Sequence, residues 1–589
     1  MLSSGGRFAI TYNGEIYNFK ELRRRLAGAG VRFRGGSDTE VLVEAIAAWG
    51  VAGTVPLLNG MFAFAVWDRD ERRLTLVRDR MGEKPLYYGR IGAAFVFASE
   101  LKALCQYPGF SGTIDRHAVR EYLRHDCVPS PRSIYEGISK LPPGHVLHVE
   151  AGTAGVPASR PYWSLAEVAA AGLADPLDGS ADEIVDQVES AIATSVGLRM
   201  VADVPVGAFL SGGVDSSLVV ALMRQHSATA PRTFTIGFDD PAYDESPQAE
   251  RVARHLGTDH TELRVGTDDV VRAVGRLPTI YDEPFADSSQ LPSFLVAEMT
   301  RRHVTVSLSG DGGDELFAGY ARYQLFDRRL WSASRQLPRT VRAGVGAALG
   351  AVPPAAWDRT IGWARPVLPR SLRQSRPGDK VQKMARIFEH DSARSAYSSL
   401  MSRWDDPAQV LAGAGSSGSG PQAPWLDTSS VVDQLMYSDQ AGYLPDDILT
   451  KVDRATMAVG LEARVPLLDH HLVELAWRVP LTCKLRGGSG KWVLRRILAR
   501  HLPPELFDRP KMGFGVPIGS WLREPLRDWA EALLDRRRLA DEGLFAPQVV
   551  RDLWTDHLRR TDEWVGGHKL WTILMFQAWR DASRPPARA

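Results

Sequence analysis

Cysteine is scarce in this sequence: Cys105, Cys127 and Cys483 are the three among 589 residues. They lie far apart, form no CxxC pair and are odd in number, which argues against a disulfide framework or a cysteine-built zinc site. Charge of one sign is equally short. The 71 Lys and Arg are matched by 70 Asp and Glu, and no long single-sign run is present, so nucleic acid is not an expected partner. No stretch approaches the roughly eighteen apolar residues that a membrane span needs. The opening MLSSGGRFAI has neither the basic start nor the apolar run of a signal peptide. A protein with no membrane contact, in a reducing cytoplasm, is the expectation. Internal repeats are absent, and so is the lysine-containing phosphate loop GxxxxGKS/T.

What is there exceeds one ordinary core, so two or more domains are expected. From Arg7 to about Glu150, short apolar runs are broken by Gly and Pro turns: RFAITYNGEIYN, MFAFAVWD, LTLVRD, PLYYGR, AFVFAS and GHVLHVE. This pattern predicts a mostly antiparallel β domain flanked by helices over Phe19–Leu26 and Glu40–Trp49. Because RFAITY is strand-like only a few residues in, the chain is expected to begin inside a fold. Ala151–Gly179 has the Ala, Gly and Pro content of a connector. From Ala181, a helix (EIVDQVESAIATSV) leads into strands VGAFL, FTIGF and VTVSLSG that alternate with helical segments. That alternation predicts a parallel α/β sheet with ligands at the carboxyl ends of its strands. After about Tyr320 amphipathic helical segments dominate, interrupted by the loop-like AGAGSSGSGPQAP at 412–424.

The strongest chemical feature is Leu210-Ser211-Gly212-Gly213-Val214-Asp215-Ser216-Ser217, between the strand VPVGAF and the helix SLVVALM. Two glycines let the backbone turn tightly enough for its N–H groups to approach phosphate oxygens. The hydroxyls of Ser211, Ser216 and Ser217 add donors at a helix N-terminus. An acid among phosphate-binding groups is repulsive alone, so Asp215 makes sense as a Mg²⁺ ligand. The alternative is a plain helix N-cap. A second element, Ser309-Gly310-Asp311-Gly312-Gly313-Asp314-Glu315, follows another apolar strand. Three acids among three glycines suit a metal- and phosphate-handling turn, and the alternating ligand spacing of a calcium loop is missing.

The first loop resembles the PP-loop of ATP pyrophosphatases. Together with LTKVDRATMAVGLEARVPLLD (449–469), PKMGFGVPIGSWLR and DEPFADSS (282–289), the two loops resemble the synthetase domain of glutamine-hydrolysing asparagine synthetases, and the likeness covers essentially the whole chain. The resemblance implies ATP as the nucleotide and Mg²⁺ as its ion, with Leu210 and Ile236 flanking the adenine and Ser309 and Gly310 touching the nucleotide. It implies Asp215 and Asp314 as Mg²⁺–pyrophosphate ligands. Asp311 would occupy the acidic position tied to an aspartyl-AMP intermediate, and Lys491 would steady charge on the α-phosphate. Arg464 with Glu462 is read either as an ion pair at a helix end or as a substrate contact, and Asp453 with Arg454 as surface charges.

Asn13-Gly14-Glu15 and Gly36-Ser37-Asp38 resemble two glutamine-binding elements of the N-terminal-nucleophile amidotransferase domain. By that likeness Asn13 and Gly14 form the oxyanion hole, and Glu15 and Asp38 hold the amino end of glutamine. A tight turn and a helix N-cap are the bland alternatives. The family begins Met-Cys-Gly, whereas this sequence begins MLSSGG, so no glutamine hydrolysis is expected of the sequence as it stands. Either Met1 is an internal residue taken as a start codon, or the activity is lost, as in β-lactam synthetases. The retained NGE and GSD elements favour the first.

The resulting expectation is a partial αββα amidotransferase domain over 1–165, a linker over 166–182, and over 183–589 a PP-loop α/β domain with a parallel sheet and a largely helical C-terminal part. Aspartate, glutamine or ammonia, and ATP are the expected small-molecule partners, and a homodimer is left open. An amidotransferase or β-lactam-synthetase-like enzyme acting on a different carboxylate is the competing expectation.

Overall fold

The computed structural model describes residues 1–241, 243–326, 331, 335–352, 356–357, 360, 377–413, 424–508, 515–559 and 565–583. Most of the glycine-serine loop near 412–424 and the start of PKMGFGVPIGSWLR lie outside the described residues.

The apolar runs of the first half become strands. β1 (Phe8–Ile16) pairs antiparallel with β2 (Gly60–Asp68), from Phe8 opposite Asp68 to Ile16 opposite Gly60. β3 (Arg73–Arg78) follows on β2 by a tight turn. β4 (Tyr87–Ile91), β5 (Ala94–Ala98) and β6 (Ile138–Lys140) form a small sheet in the order β5-β4-β6. β7 (His145–Glu150) and β8 (Arg160–Pro161) complete the larger sheet, whose order is β1-β2-β3-β7-β8. The helices Phe19–Gly28 and Asp38–Thr54 place Leu22, Leu26, Val41, Leu42 and Ile46 against Phe8, Ile10, Phe62 and Phe64. By length and apolar content alone, Asp38–Leu57 could cross a membrane, which corrects the expectation that no such stretch exists. Here its apolar residues are core of this layer, and its axis breaks at Gly50, where φ is 72°.

The second half opens with the helix Ala181–Arg199, started by a reciprocal Ser180–Glu183 capping box. β9 (Val206–Phe209), β10 (Arg232–Phe238), β11 (Asp259–Val265), β12 (Val306–Leu308) and β13 (Glu462–Arg464) make a second five-stranded sheet. All its pairings are parallel, and its order is β11-β10-β9-β12-β13. The chain therefore runs from β9 outward through β10 to β11, then returns to the other side of β9 for β12. The loops leaving β9 and β12 sit at the point where strand order reverses, the usual ligand crevice of such sheets.

Beyond Tyr320 the regular elements among the described residues are helices apart from β13, joined by loops and two isolated β-bridges. Glu462 and Arg464 therefore lie on a strand, not at a helix end. Asp453 and Arg454 are 7% and 4% exposed, so the reading of them as surface charges is also corrected. The C-terminal helix Val565–Ser583 buries Trp571, Phe576 and Trp579 in the same apolar cluster as Val119, Tyr122 and Leu123 of the first half. The Tyr122 hydroxyl donates to the Thr572 carbonyl at 2.6 Å. Each such large side chain contributes about 1.5–3 kcal/mol on burial, so the two halves share a core and do not merely touch.

Candidate active site

The loop after β9 is built by its own side chains. Leu210 N–H donates to the Phe234 carbonyl at 2.9 Å, so the loop starts from a fixed point on β10. Ser216 Oγ accepts from Ser211 N–H at 3.2 Å, and the two hydroxyls lie 3.0 Å apart. Gly213 caps the helix Val214–His226, whose first turn holds Asp215, Ser216 and Ser217. The Ser217 hydroxyl is buried without a hydrogen-bond partner among the described residues. Leu210 packs with Val214, Leu218 and Leu308, whereas Ile236 packs with Phe234 and Phe238 in the other large cluster.

The loop after β12 lies directly against it. Leu308 pairs with Ala208 across the sheet, so both loops leave at the same level. A methyl group at Gly310 would stand 2.7 Å from Ser216 N, and one at Gly313 would stand 2.5 Å from the Asp215 carboxylate. Ser309 Oγ donates to Asp311. Lys491 closes the assembly from the C-terminal half: its ammonium pairs with Asp215 and lies 2.7 Å from Asp314. Those two carboxylates hold the buried ammonium well above the usual lysine range against the desolvation that would lower it. The structure thus brings Asp215, Asp314, Lys491 and both glycine loops together.

Sequence reasoning missed the group beside Asp311. Lys451 donates to Asp287 and to Ser289 Oγ, both at 2.7 Å. Burial opposes the Lys451 charge, but Asp287, Asp447 and Asp311 together hold it protonated. Asp447 is pushed well up by burial and by the Asp287 charge. Glu315 is pushed up to about 7 by burial and by Asp314, and accepts from the Tyr320 hydroxyl. The only signal available was that DEPFADSS and LTKVDR had already stood out as segments.

In the first half, Asn13 Nδ2 donates to Ser99 Oγ at 3.1 Å, and Gly14 has φ 151° against β2. Asp38 accepts from Tyr12 Oη at 2.8 Å and from Ile16 N–H at 3.0 Å. Glu15 is pushed up to about 7, first by burial and then by Asp38, with Arg464 acting the other way. Asn13, Gly14, Glu15 and Asp38 are thus gathered on β1 and the helix start beside it. The halves are pinned together by buried polar pairs: Lys84 with Asp453 at 2.9 Å, Asn59 with Asp469 at 2.9 Å, and Lys140 with Glu283. Arg454 donates to the Ser99 carbonyl at 2.9 Å and pairs with Asp282 at 2.9 Å.

Two adjacent glycine loops at the switch point of a parallel sheet, with facing carboxylates and a buried lysine, define an α/β protein equipped for phosphate chemistry. Residues 187–581 match the family model described as asparagine synthase, and residues 1–163 match a glutamine amidotransferase domain. The chain belongs to the asparagine synthase family. It is 29% identical to asparagine synthetase (glutamine-hydrolyzing) 1 of Bacillus subtilis, across 97% of this chain and 85% of that protein. Asparagine synthetase (glutamine-hydrolyzing) 3 of the same organism is 29% identical across 91% of this chain and 81% of its own length. Amidase chyE of Penicillium rubens is 27% identical across 90% and 80% respectively.

Proposed function

We propose that this chain makes asparagine from aspartate, ATP and ammonia, the ammonia being drawn from glutamine in the intact enzyme that carries the N-terminal cysteine. The observation that carries the reading is the convergence of Lys491, Asp215 and Asp314 on the junction of the two glycine loops, in a chain of this family. In this reading residues 1–165 are a partial N-terminal-nucleophile amidotransferase domain, 166–182 a linker and 183–589 the synthetase domain. Its place is the cytoplasm, where all the substrates are.

ATP is taken by Leu210–Ser217 with Ile236, Ser309 and Gly310. Backbone N–H groups and the hydroxyls of Ser211, Ser216 and Ser217 bind phosphate oxygens, and the buried Ser217 hydroxyl gains the partner it lacks. The carboxylates of Asp215 and Asp314 suit Mg²⁺, which is commonly held by one or two carboxylates plus waters and phosphate oxygens. When bound, the ion neutralises charge on the departing pyrophosphate. Lys491 exchanges part of its pairing with the two aspartates for the α-phosphate oxygens and stabilises the charge that builds there. The aspartate β-carboxylate attacks the α-phosphorus, and pyrophosphate leaves. Ammonia then attacks the activated carbonyl carbon, AMP leaves, and Asp311 accepts the proton that the new amide nitrogen must lose.

In the intact enzyme, ammonia released near Asn13 and Gly14 crosses the buried junction between the halves in this reading. A cavity of about 10 Å³ lies where the halves meet, lined by Glu83, Tyr87, Lys140, Thr450, Asp453 and Arg454. That is room for one water-sized molecule. Arg454 and Asn13 both bond to Ser99, on the amidotransferase side of that junction.

The test is product analysis with ATP, Mg²⁺, ammonium and aspartate. Equal amounts of AMP, pyrophosphate and asparagine are expected, with turnover falling about a hundredfold or more in D215N. Turnover with another carboxylic acid but none with aspartate would move the assignment to a related amidotransferase.

A further inference from the structure

Arg464 belongs to both sites at once. Its main chain is part of β13, where Arg464 pairs with Leu308, and its carbonyl accepts from Ser309 N–H at 2.9 Å. It therefore fixes the first residue of the acid-rich loop. Its side chain turns toward the first half and is buried. Nε donates to Glu462 at 2.6 Å, and Nη1 donates to the carbonyls of Arg199 at 2.8 Å and Val201 at 2.7 Å. Those bonds use three of the five guanidinium protons and lock the plane of the group. Nη2 is left facing Glu15 Oε2 at 3.7 Å, an ion-pair separation longer than a hydrogen bond. The guanidinium carbon lies 5.5 Å from the ring centre of Tyr17, the residue that follows the end of β1.

We propose that Arg464 is a positioning residue: its fixed guanidinium holds Glu15 in place for the ammonium group of glutamine, and it links occupancy of that site to the loop Ser309–Asp314. The inference rests on the glutamine role given above to Glu15 and Asp38. Glu15 is surrounded by charge of its own sign from three directions: Asp38 on the neighbouring helix, Glu462 on β13 and Asp203 ahead of β9. The Tyr12 hydroxyl, on Glu15's own strand, is committed to Asp38. Arg464 is the cation that opposes this repulsion, so without it Glu15 keeps its proton to higher pH and pairs less readily with an ammonium. An incoming ammonium gives Glu15 a second cation, and the loosened Nη2 contact is felt on the strand that holds Ser309. By linkage, glutamine then alters nucleotide affinity and the nucleotide alters glutamine affinity by the same factor.

The experiment measures L-glutamine binding to the full chain by calorimetry across pH, in wild type, R464Q and R464K, each with and without ATP and Mg²⁺. Glutamine affinity in wild type is expected to rise with pH through about 7, the value to which Glu15 is pushed. R464Q is expected to move that midpoint up by about one unit and to weaken binding about tenfold near neutrality. It should also abolish the mutual effect of glutamine and ATP. R464K keeps a cation beside Glu15 and is expected to retain the wild-type midpoint, which carries the test if R464Q folds poorly. An unchanged midpoint in R464Q, a midpoint in R464K shifted like that of a charge-removing variant, or wild-type glutamine and ATP affinities independent of each other would each overturn the proposal. Absence of glutamine binding in wild type would remove the glutamine reading and this proposal with it, while ATP binding would still report on the synthetase reading separately.

Discussion

Lys491 shows how much one side chain can be asked to do. It sits in the left-handed region, with φ 57°, just ahead of the helix Trp492–Leu498, and its N–H donates to the Phe317 carbonyl at 2.8 Å. A lysine held in a conformation that costs about 1–3 kcal/mol is over-determined by its surroundings. Those surroundings are Asp215 and Asp314, which keep the ammonium charged throughout the neutral range. Truncation in K491A is expected to lower kcat by about two to three orders of magnitude, the usual loss of one preorganised donor to developing charge, as read by AMP release. Gly319 gives a subtler test. A methyl group there would stand 2.1 Å from both Asp314 Oδ1 and Lys491 Cε. In G319A the lysine must move, so AMP release is expected to fall about tenfold or more while circular dichroism stays unchanged. The lysine itself was legible only through the family resemblance, which a contiguous stretch, SGKWVLRR, carries to this position. Its partners were named only through separate motifs, since nothing in spacing tells that Gly319 is the floor under its stem.

Among the elements, the legible ones were those with long apolar runs. β1, β2 and β10 are runs of alternating or continuous apolar residues, and the periodicity finds them. β11 reads DHTELRV, an edge strand with charged and half-buried positions, and offers no apolar run to find. β13 has three residues, too few for any period to register. The helix Leu449–Met457 was quoted as a motif, yet its charges were misjudged because helical charges usually face water. Here the preceding turns, Asp439–Ile448, are wound as a π-helix, a form that often marks functional sites. The helix that follows turns Lys451 inward to Asp287 and Ser289. Replacing it in K451M removes the cation hydrogen-bonded to Asp287, leaving Arg403 to act on Asp287 and Asp447 through space only. The expected cost is about 3–5 kcal/mol, the penalty of stranding one member of a buried ion pair. The fall in denaturant midpoint at neutral pH measures it, and recovery on acidification is expected, because burial already holds Asp447 protonated and protonating Asp287 removes the stranded charge.

Across the whole molecule the two halves are joined by polar groups drawn from distant parts of the chain, and this is why the junction was not legible. Lys84 and Asp453 are 369 residues apart, and no local pattern announces that two such charges will be buried against each other. Glu83, the neighbour of Lys84, lines the cavity at this junction and is pushed up to about 8. Burial is the main cause and the Asp79 charge adds to it, while Arg199 and Lys84 act in the opposite direction. The sign of its effect on stability follows from proton counting. The unfolded chain releases the Glu83 proton near the ordinary value of about 4.3, whereas the folded chain keeps it until about 8. Between those values the folded state binds more protons, so this group makes stability fall as pH rises through the window. Glu83→Gln mimics the neutral form at every pH. It is therefore expected to match wild type below about pH 4 and to exceed it in thermal midpoint near pH 8, with the two curves separating progressively in between. Parallel curves for the two proteins would mean that Glu83 is ionised in the folded state, and that the junction is held by fully charged groups on both sides of the cavity.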